Sequence, residues 1–158
     1  MSISSVDIQA SNGVIHVIDA VLIPRDIVEE AQYRGFTTLI SALENAGITD
    51  ALKGDGPLTV FAPTNDAFAE VAGLDAILAD ANKDPLIAIL QNHVVSGENK
   101  AEVVVGLSSV DTLNNEQMSV EVVDGEVILN GSSKVTATDV MGLNGVIHVI
   151  DKVITTVN

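Results

Sequence analysis

An α+β domain is the fold class this sequence predicts, and three observations carry that expectation. Through the first half, apolar residues recur at helical spacing, as in Leu39, Ile40, Leu43 and Ala46. After Val110 the period switches to two, and Asp124-Gly125 between alternating runs is a strong hairpin signal. The third observation is a repeat. The octapeptide Asn12-Gly13-Val14-Ile15-His16-Val17-Ile18-Asp19 recurs letter for letter at Asn144-Gly145-Val146-Ile147-His148-Val149-Ile150-Asp151, an offset of 144 − 12 = 132 residues. At that offset Asp7 also falls on Asp139, and apolar Ile8 on apolar Val140. The period is domain-sized rather than solenoid-sized. It divides the chain into residues 1–24, a strand segment like the end of a preceding unit, and residues 25–158, one whole unit.

Each element has its own cause. Residues 12–23 read as a strand apolar on both faces, hence buried, and Pro24 stops it. Asp26 with Glu29 three residues on forms a capping box, which predicts a helix to Arg34 that Gly35 breaks. A second helix starts near Thr37 and stops at Gly47, and Thr49 to Lys53 adds a short helical turn. Residues 57–62 read as a buried strand, followed by Asn65 as cap of a helix beginning at Asp66. Leu74 to Ala81 and Pro85 to His93 are expected to be helical, the latter opened by proline in its first turn. Strands follow at Val110–Leu113, Met118–Val123, Glu126–Asn130, Lys134–Asp139 and Val146–Ile154.

Composition excludes several function classes. The chain has 158 residues, which favours one domain, and it is 47% hydrophobic but only 3% aromatic, so its core is aliphatic. With 7 Lys and Arg against 22 Asp and Glu, the net charge of −15 leaves no basic footprint for nucleic acid. The same charge suits solubility in salty or extracellular surroundings. No apolar run reaches the roughly 18 residues of a membrane helix, so direct membrane insertion is not expected. Residues 1–5 lack the basic start and apolar stretch of a signal peptide. There is no cysteine, hence neither disulfide nor thiolate chemistry.

Catalytic and cofactor patterns are missing from the sequence. It has no Gly-x-Gly-x-x-Gly, no Gly-x4-Gly-Lys and no Gly-x-Ser-x-Gly elbow. His16, His93 and His148 do not combine into a metal-ligand spacing. Each imidazole is expected to satisfy nearby backbone groups instead, and Asp19 and Asp151 to partner backbone amides. Neither an enzyme activity nor a cofactor or metal is expected.

Three segments carry a family likeness. Thr59-Val60-Phe61-Ala62-Pro63-Thr64-Asn65-Asp66-Ala67-Phe68 resembles the first signature of fasciclin domains, and Asn144 to Asp151 resembles the second. Between them, Ile89 to Val95 resembles the segment that often reads Tyr-His, here Asn92-His93. The likeness spans Phe36 to Ile154, with the motifs in family order, and Asn12 to Pro24 is similar to the closing strand of an upstream fasciclin domain. It implies a wedge of two small, mainly antiparallel sheets packed with a group of helices. Its structural signature here is Thr59, Phe61, Pro63, Thr64, Asn65, Phe68, Asn144, Gly145, His148 and Asp151. The likeness further implies a secreted, surface or periplasmic module for adhesion to a protein or matrix partner. The contact candidates it implies are Asn92, His93, Asp139, Val140 and Met141, of which Asn92 departs from the family tyrosine.

The expectation is therefore a non-enzymatic extracellular interaction module that self-associates through residues 12–23, whose duplicate strand has an equal claim on one sheet slot. The alternative is a binding module for a polysaccharide or a small apolar molecule. One tyrosine, three phenylalanines and no tryptophan weigh against a sugar platform.

Overall fold

The computed structural model describes residues 24–54, 56–79 and 83–155, and the backbone of two earlier strands, β1 (Ile3–Ala10) and β2 (Gly13–Ile18). Those two strands pair as an antiparallel hairpin in a sheet of their own. Residues 19–23 and the side chains of residues 1–23 lie outside the described part, so the expected packing of residues 12–23 falls there.

The first helix, α1 (Ile27–Tyr33), starts where the capping box requires. Asp26 Oδ1 accepts from the Glu29 amide at 2.8 Å, and Glu29 Oε2 accepts from the Asp26 amide at 3.2 Å. The α2 helix (Thr37–Ala46) ends on Gly47 in the left-handed conformation, and α3 (Thr49–Lys53) follows. The strand β3 (Leu58–Pro63) leads into α4 (Asn65–Ala69), α5 (Leu74–Ala79) and α6 (Asp84–Asn92). Two short elements come next, β4 (Val94–Ser96) and α7 (Ala101–Val104). Four strands bend back on themselves thereafter: β5 (Ser109–Asp111), β6 (Gln117–Val123), β7 (Glu126–Leu129) and β8 (Ser133–Gly142). The final strand is β9 (Gly145–Ile150).

The two expected sheets exist as halves of one seven-stranded sheet, ordered β4-β3-β9-β8-β7-β6-β5. They join at β8, which pairs with β7 at Ser133 and Lys134 and then passes to β9 from Val135 onward. The sheet curls until its ends meet. Val95 bridges Thr112, and the Leu113 amide donates to Val94 O at 2.8 Å. Pairing is antiparallel throughout except for β3 with β9, which runs parallel from Leu58–Gly145 to Pro63–Ile150.

Apolar alternation builds two cores from this sheet. Val60, Ala62 and Ile147 face a helix layer containing Leu39, Leu43, Leu86 and Leu90. Phe61 and Ile150 face the interior of the curled sheet, with Met118, Val120 and Leu129. Residues buried on both faces explain why β3 and β9 read as continuous apolar runs.

The sequence repeat is also a repeat of geometry. β1 and β2 pair as Ile3–Ile18, Ser5–Val17, Ile8–Ile15, Gln9–Val14 and Ala10–Gly13, with two register shifts. β8 and β9 pair as Val135–Ile150, Ala137–Val149, Val140–Ile147, Met141–Val146 and Gly142–Gly145, with shifts at the same places. Adding 132 to each residue of the first set gives the second. One environment differs: β9 has β3 on its far side, whereas β2 pairs with β1 alone among the described residues.

Three expectations need correcting. Asn65 does not cap α4. Thr64 does, its hydroxyl accepting from the Ala67 amide at 3.2 Å, which leaves Asn65 as the first helical residue. Lys134–Asp139 does not end at Asp139, because β8 runs on to Gly142 through a bulge. The last strand stops at Ile150 rather than Ile154, since no ladder partner extends beyond Val135.

Candidate functional site

The signature polar residues converge on chain ends, and each ties one element to another. Thr59, the second residue of β3, donates its hydroxyl to Gly97 O at 2.7 Å and accepts from the Asn99 amide at 2.8 Å. His148, across the parallel ladder from Phe61, bonds Asn99 O through Nε2 at 2.7 Å. Its Nδ1 accepts from the Asp139 amide at 3.4 Å, and its ring stacks on Phe61 with centroids 5.5 Å apart. Asp139 Oδ1 in turn accepts from the Ala101 amide at 2.9 Å, at the first turn of α7. Thr59, Asp139 and His148, distant in sequence, therefore clamp one loop, residues 97–101.

A second lock sits at the β8–β9 turn. Asn144 Oδ1 accepts from the Ile27 amide at 2.9 Å, while its Nδ2 donates to Leu52 O at 2.7 Å and Gly54 O at 3.3 Å. One side chain thus joins the start of α1 to the end of α3. Gly145 lies so close to β3 that a Cβ there would overlap Leu58 O. Asn65 makes a third tie, donating to Gly35 O at 2.9 Å and accepting from the Thr38 amide at 3.1 Å, across the α1–α2 connection. Asp151 Oδ1 accepts from the Lys134 amide at 2.8 Å and holds the start of β8. Of the remaining signature residues, Phe68 is buried in the helix-side core and Pro63 is the last residue of β3.

His93 closes the chain. Its Nδ1 donates to Ile89 O at 2.7 Å, and Nε2 accepts from the Ile154 amide at 2.9 Å, so the second nitrogen must keep its lone pair. Burial lowers this imidazole from the ordinary 6.5 to about 4, opposed by the Ile89 carbonyl, which raises it. The neutral form is the one the fold needs. Its contribution to stability is complete above pH 6.5 and is lost as the pH falls through 6.5 toward about 4. The difference, 6.5 − 4, is worth roughly 3 kcal/mol. Urea midpoints measured at pH 7 and pH 4 should fall far more in the parent chain than in His93→Gln, which does not titrate. Equal falls would show that His93 is not the acid-sensitive group.

Exposure sorts the contact candidates. Asn92 is 3%, His93 1% and Val140 7% exposed. Their side chains therefore cannot meet a partner, which corrects the expectation for these three. The missed signal was spacing, since Leu86, Leu90 and His93 follow one another at i, i+4 and i+7 on the buried face of α6. Asp139 is exposed and takes a left-handed φ of 55° at the β8 bulge, while Met141 is 49% exposed and the unanticipated Leu143 71%. All three lie in the last part of β8 or in the turn that follows it. A separate cleft of 490 Å³ opens between α4, α5, α6 and the segment after β9, with Val71, Ile77, Ile89 and Val153 beside Glu70 and Lys152.

Among the described residues no helix is long and apolar enough to cross a membrane. The described imidazoles, His93 and His148, are both spent on backbone groups. The arrangement is one of mechanical ties around an apolar core, with Asp139, Met141 and Leu143 exposed at the end of β8 and in its turn.

Comparison with known proteins agrees with this geometry. The chain is similar to protein sll1483 of Synechocystis, 46% identical over 121 residues covering 75% of this chain and 66% of that protein. It is also similar to transforming growth factor-beta-induced protein ig-h3 of Sus scrofa, 33% identical over 153 residues covering 94% of this chain and 22% of that one. The chain thus spans two thirds or less of these relatives. Among solved structures it resembles a FAS1 domain pair from the insect cell adhesion molecule Fasciclin I, with a TM-score of 0.58 at 24% identity over 79% of this chain and 45% of that one. The fasciclin domain family model matches residues 34–156, and the chain belongs to that family.

Proposed function

We propose that this chain is a non-enzymatic, extracellular or surface-exposed interaction module of the fasciclin type, which docks a protein or matrix partner and also associates with itself. Residues 1–24 are the closing segment of an upstream fasciclin unit, and residues 25–158 are the whole domain. Asp139 and Met141, with Leu143, are the partner-facing residues. The resemblance to a domain pair of a cell adhesion molecule supports the class of function.

One observation carries the self-association. β2 repeats β9 in sequence and in register, yet pairs only with β1 among the described residues, while the equivalent edge of β9 is covered by β3. An apolar strand with an open ladder edge is a template for another strand. Light scattering on residues 1–158 should give a mass above the monomer, and residues 25–158 should be monomeric. Monomers in both cases would overturn self-association through residues 12–23.

The apolar cleft beside Val71 and Ile89 favours a second reading, a small apolar ligand held against the helices. Ligand-observed NMR with medium-chain fatty acids should then show saturation transfer that Ile89→Glu abolishes. Transfer unchanged in that variant would exclude the cleft.

A further inference from the structure

Two hairpins in this chain compete, by sequence and register, for one place in the fold. The place is bounded by β3 on one side and by the starts of α1 and α7 on the others, and β8–β9 occupies it. The groups that hold β8–β9 there recur in β1–β2. Asn12 matches Asn144, Gly13 matches Gly145, His16 matches His148, Asp7 matches Asp139 and Asp19 matches Asp151. Nothing among these would stop the first hairpin from displacing the second, within one molecule or between two.

One position differs where space is short. Gly142, the last residue of β8, corresponds to Ala10. A Cβ at residue 142 would lie 2.9 Å from the Ile27 amide nitrogen, 2.9 Å from Ile27 Cγ2 and 3.1 Å from the carbonyl carbon of Asp26. Two of these atoms are backbone, and that backbone cannot simply yield. The Ile27 amide is held by Asn144 Oδ1 at 2.9 Å, Asp26 is fixed by its capping box, and the Leu143 amide donates to Arg25 O at 2.7 Å. At the two buried positions of β8, Val140 corresponds to Ile8, one methylene added at a 7% exposed site, and Ser133 corresponds to Met1 at the far end of the strand, away from α1.

We infer that Gly142 is the residue by which the closing slot of the domain accepts its own hairpin and refuses the near-identical upstream one. The inference rests on reading β1–β2 as a second closing hairpin. Ala10 carries a methyl group that the start of α1 has no room for, so β1–β2 stays out of the slot and its open edge remains available. Specificity here comes from a repulsive contact against the wrong occupant rather than from an added attraction to the right one. It would keep neighbouring fasciclin units from exchanging their closing hairpins.

The absence of cysteine allows a direct test on the full chain. Ala62 faces Val149 in the parallel ladder, and Val17 is the counterpart of Val149. A Val17→Cys/Ala62→Cys pair can therefore form a disulfide only when β2 lies in the place of β9, whereas Val149→Cys/Ala62→Cys reports the native occupant. Gel mass separates links within a chain from links between chains. With Ala10 present, the 17–62 link should be scarce under mild oxidation. Ala10→Gly should raise its yield about tenfold, because overpacking by one methyl group costs about 1–3 kcal/mol. Adding Gly142→Ala should raise it again, at the expense of the 149–62 link in the matching background. Equal yields with and without the Ala10→Gly substitution would overturn the inference, whether both are high or both are absent. Those outcomes leave the light-scattering result on residues 1–158 untouched, so the two readings fail separately.

Discussion

Replacing His148 with alanine should lower the unfolding free energy by about 4 kcal/mol, the range seen when a large buried ring is removed from a core. The ring is 1% exposed and stacks on Phe61, itself fully buried. Its loss leaves a void beside Phe61, on the face of the parallel ladder that looks into the curled sheet. It also strips Asn99 O and the Asp139 amide, both in part-buried hydrogen bonds, of their partner. Urea unfolding followed by far-UV circular dichroism would measure the loss. Hydrogen exchange should show faster opening of residues 97–101, because the imidazole is one of three groups clamping that loop. A loss below about 1 kcal/mol would mean that packing alone places β9 and that the hydrogen bonds are incidental.

Substituting Gly145 should be at least as damaging, for a backbone reason. A Cβ at this position overlaps Leu58 O and lies 2.9 Å from Leu58 C, so alanine can fit only if β9 and β3 separate. Separation would break a parallel ladder of six residue pairs and the Asn144 ties just before it. The expected loss is about 4 kcal/mol, above the usual range for overpacking because the obstacle is main chain rather than a flexible side chain. The asparagine before it explains the dipeptide. Asn144 must turn its amide toward α1 and α3 at the moment the chain passes within contact distance of β3, and only a residue without a side chain can follow.

Much of this was legible in the sequence, and the parts that were not have physical causes. The capping box at Asp26 and the Asp124-Gly125 turn rest on interactions within four residues, so the sequence displays them directly. In the structure Asp124 and Gly125 both take positive φ, 52° and 84°, as the hairpin demands. Asn65 was misread because Thr64 and Asn65 are both good caps, and only the tertiary reach to Gly35 and Thr38 assigns them. β4 and α7 escaped notice because three and four residues are too few to show a period. β1 escaped because its two register shifts break the alternation a strand should show. The 132-residue offset would have found it, by carrying β8 back onto residues 3–10.

The clamp around residues 97–101 is the part of the site that sequence could not reach. Its members lie between 38 and 49 residues from the groups they hold, and Gly97 and Ala101 contribute only backbone to these bonds. A motif shows that such residues recur together and does not show what they grip. With the grip known, the fasciclin signatures in this chain become a set of ties between element ends, and of the contact candidates read from the sequence Asp139 and Met141 are the exposed ones.

The central claim is that the repeated octapeptide acts as a lock only where β3 lies beside it. The most direct test compares the same substitution in the two copies, Gly145→Ala and Gly13→Ala, by urea midpoint in otherwise identical full-length chains. Gly145→Ala should lose about 4 kcal/mol or fail to fold, and Gly13→Ala should stay within about 1 kcal/mol of the parent, since β2 pairs with β1 alone among the described residues. Equal losses in the two variants would contradict the account, because the first copy would then sit against a β3-like strand of its own.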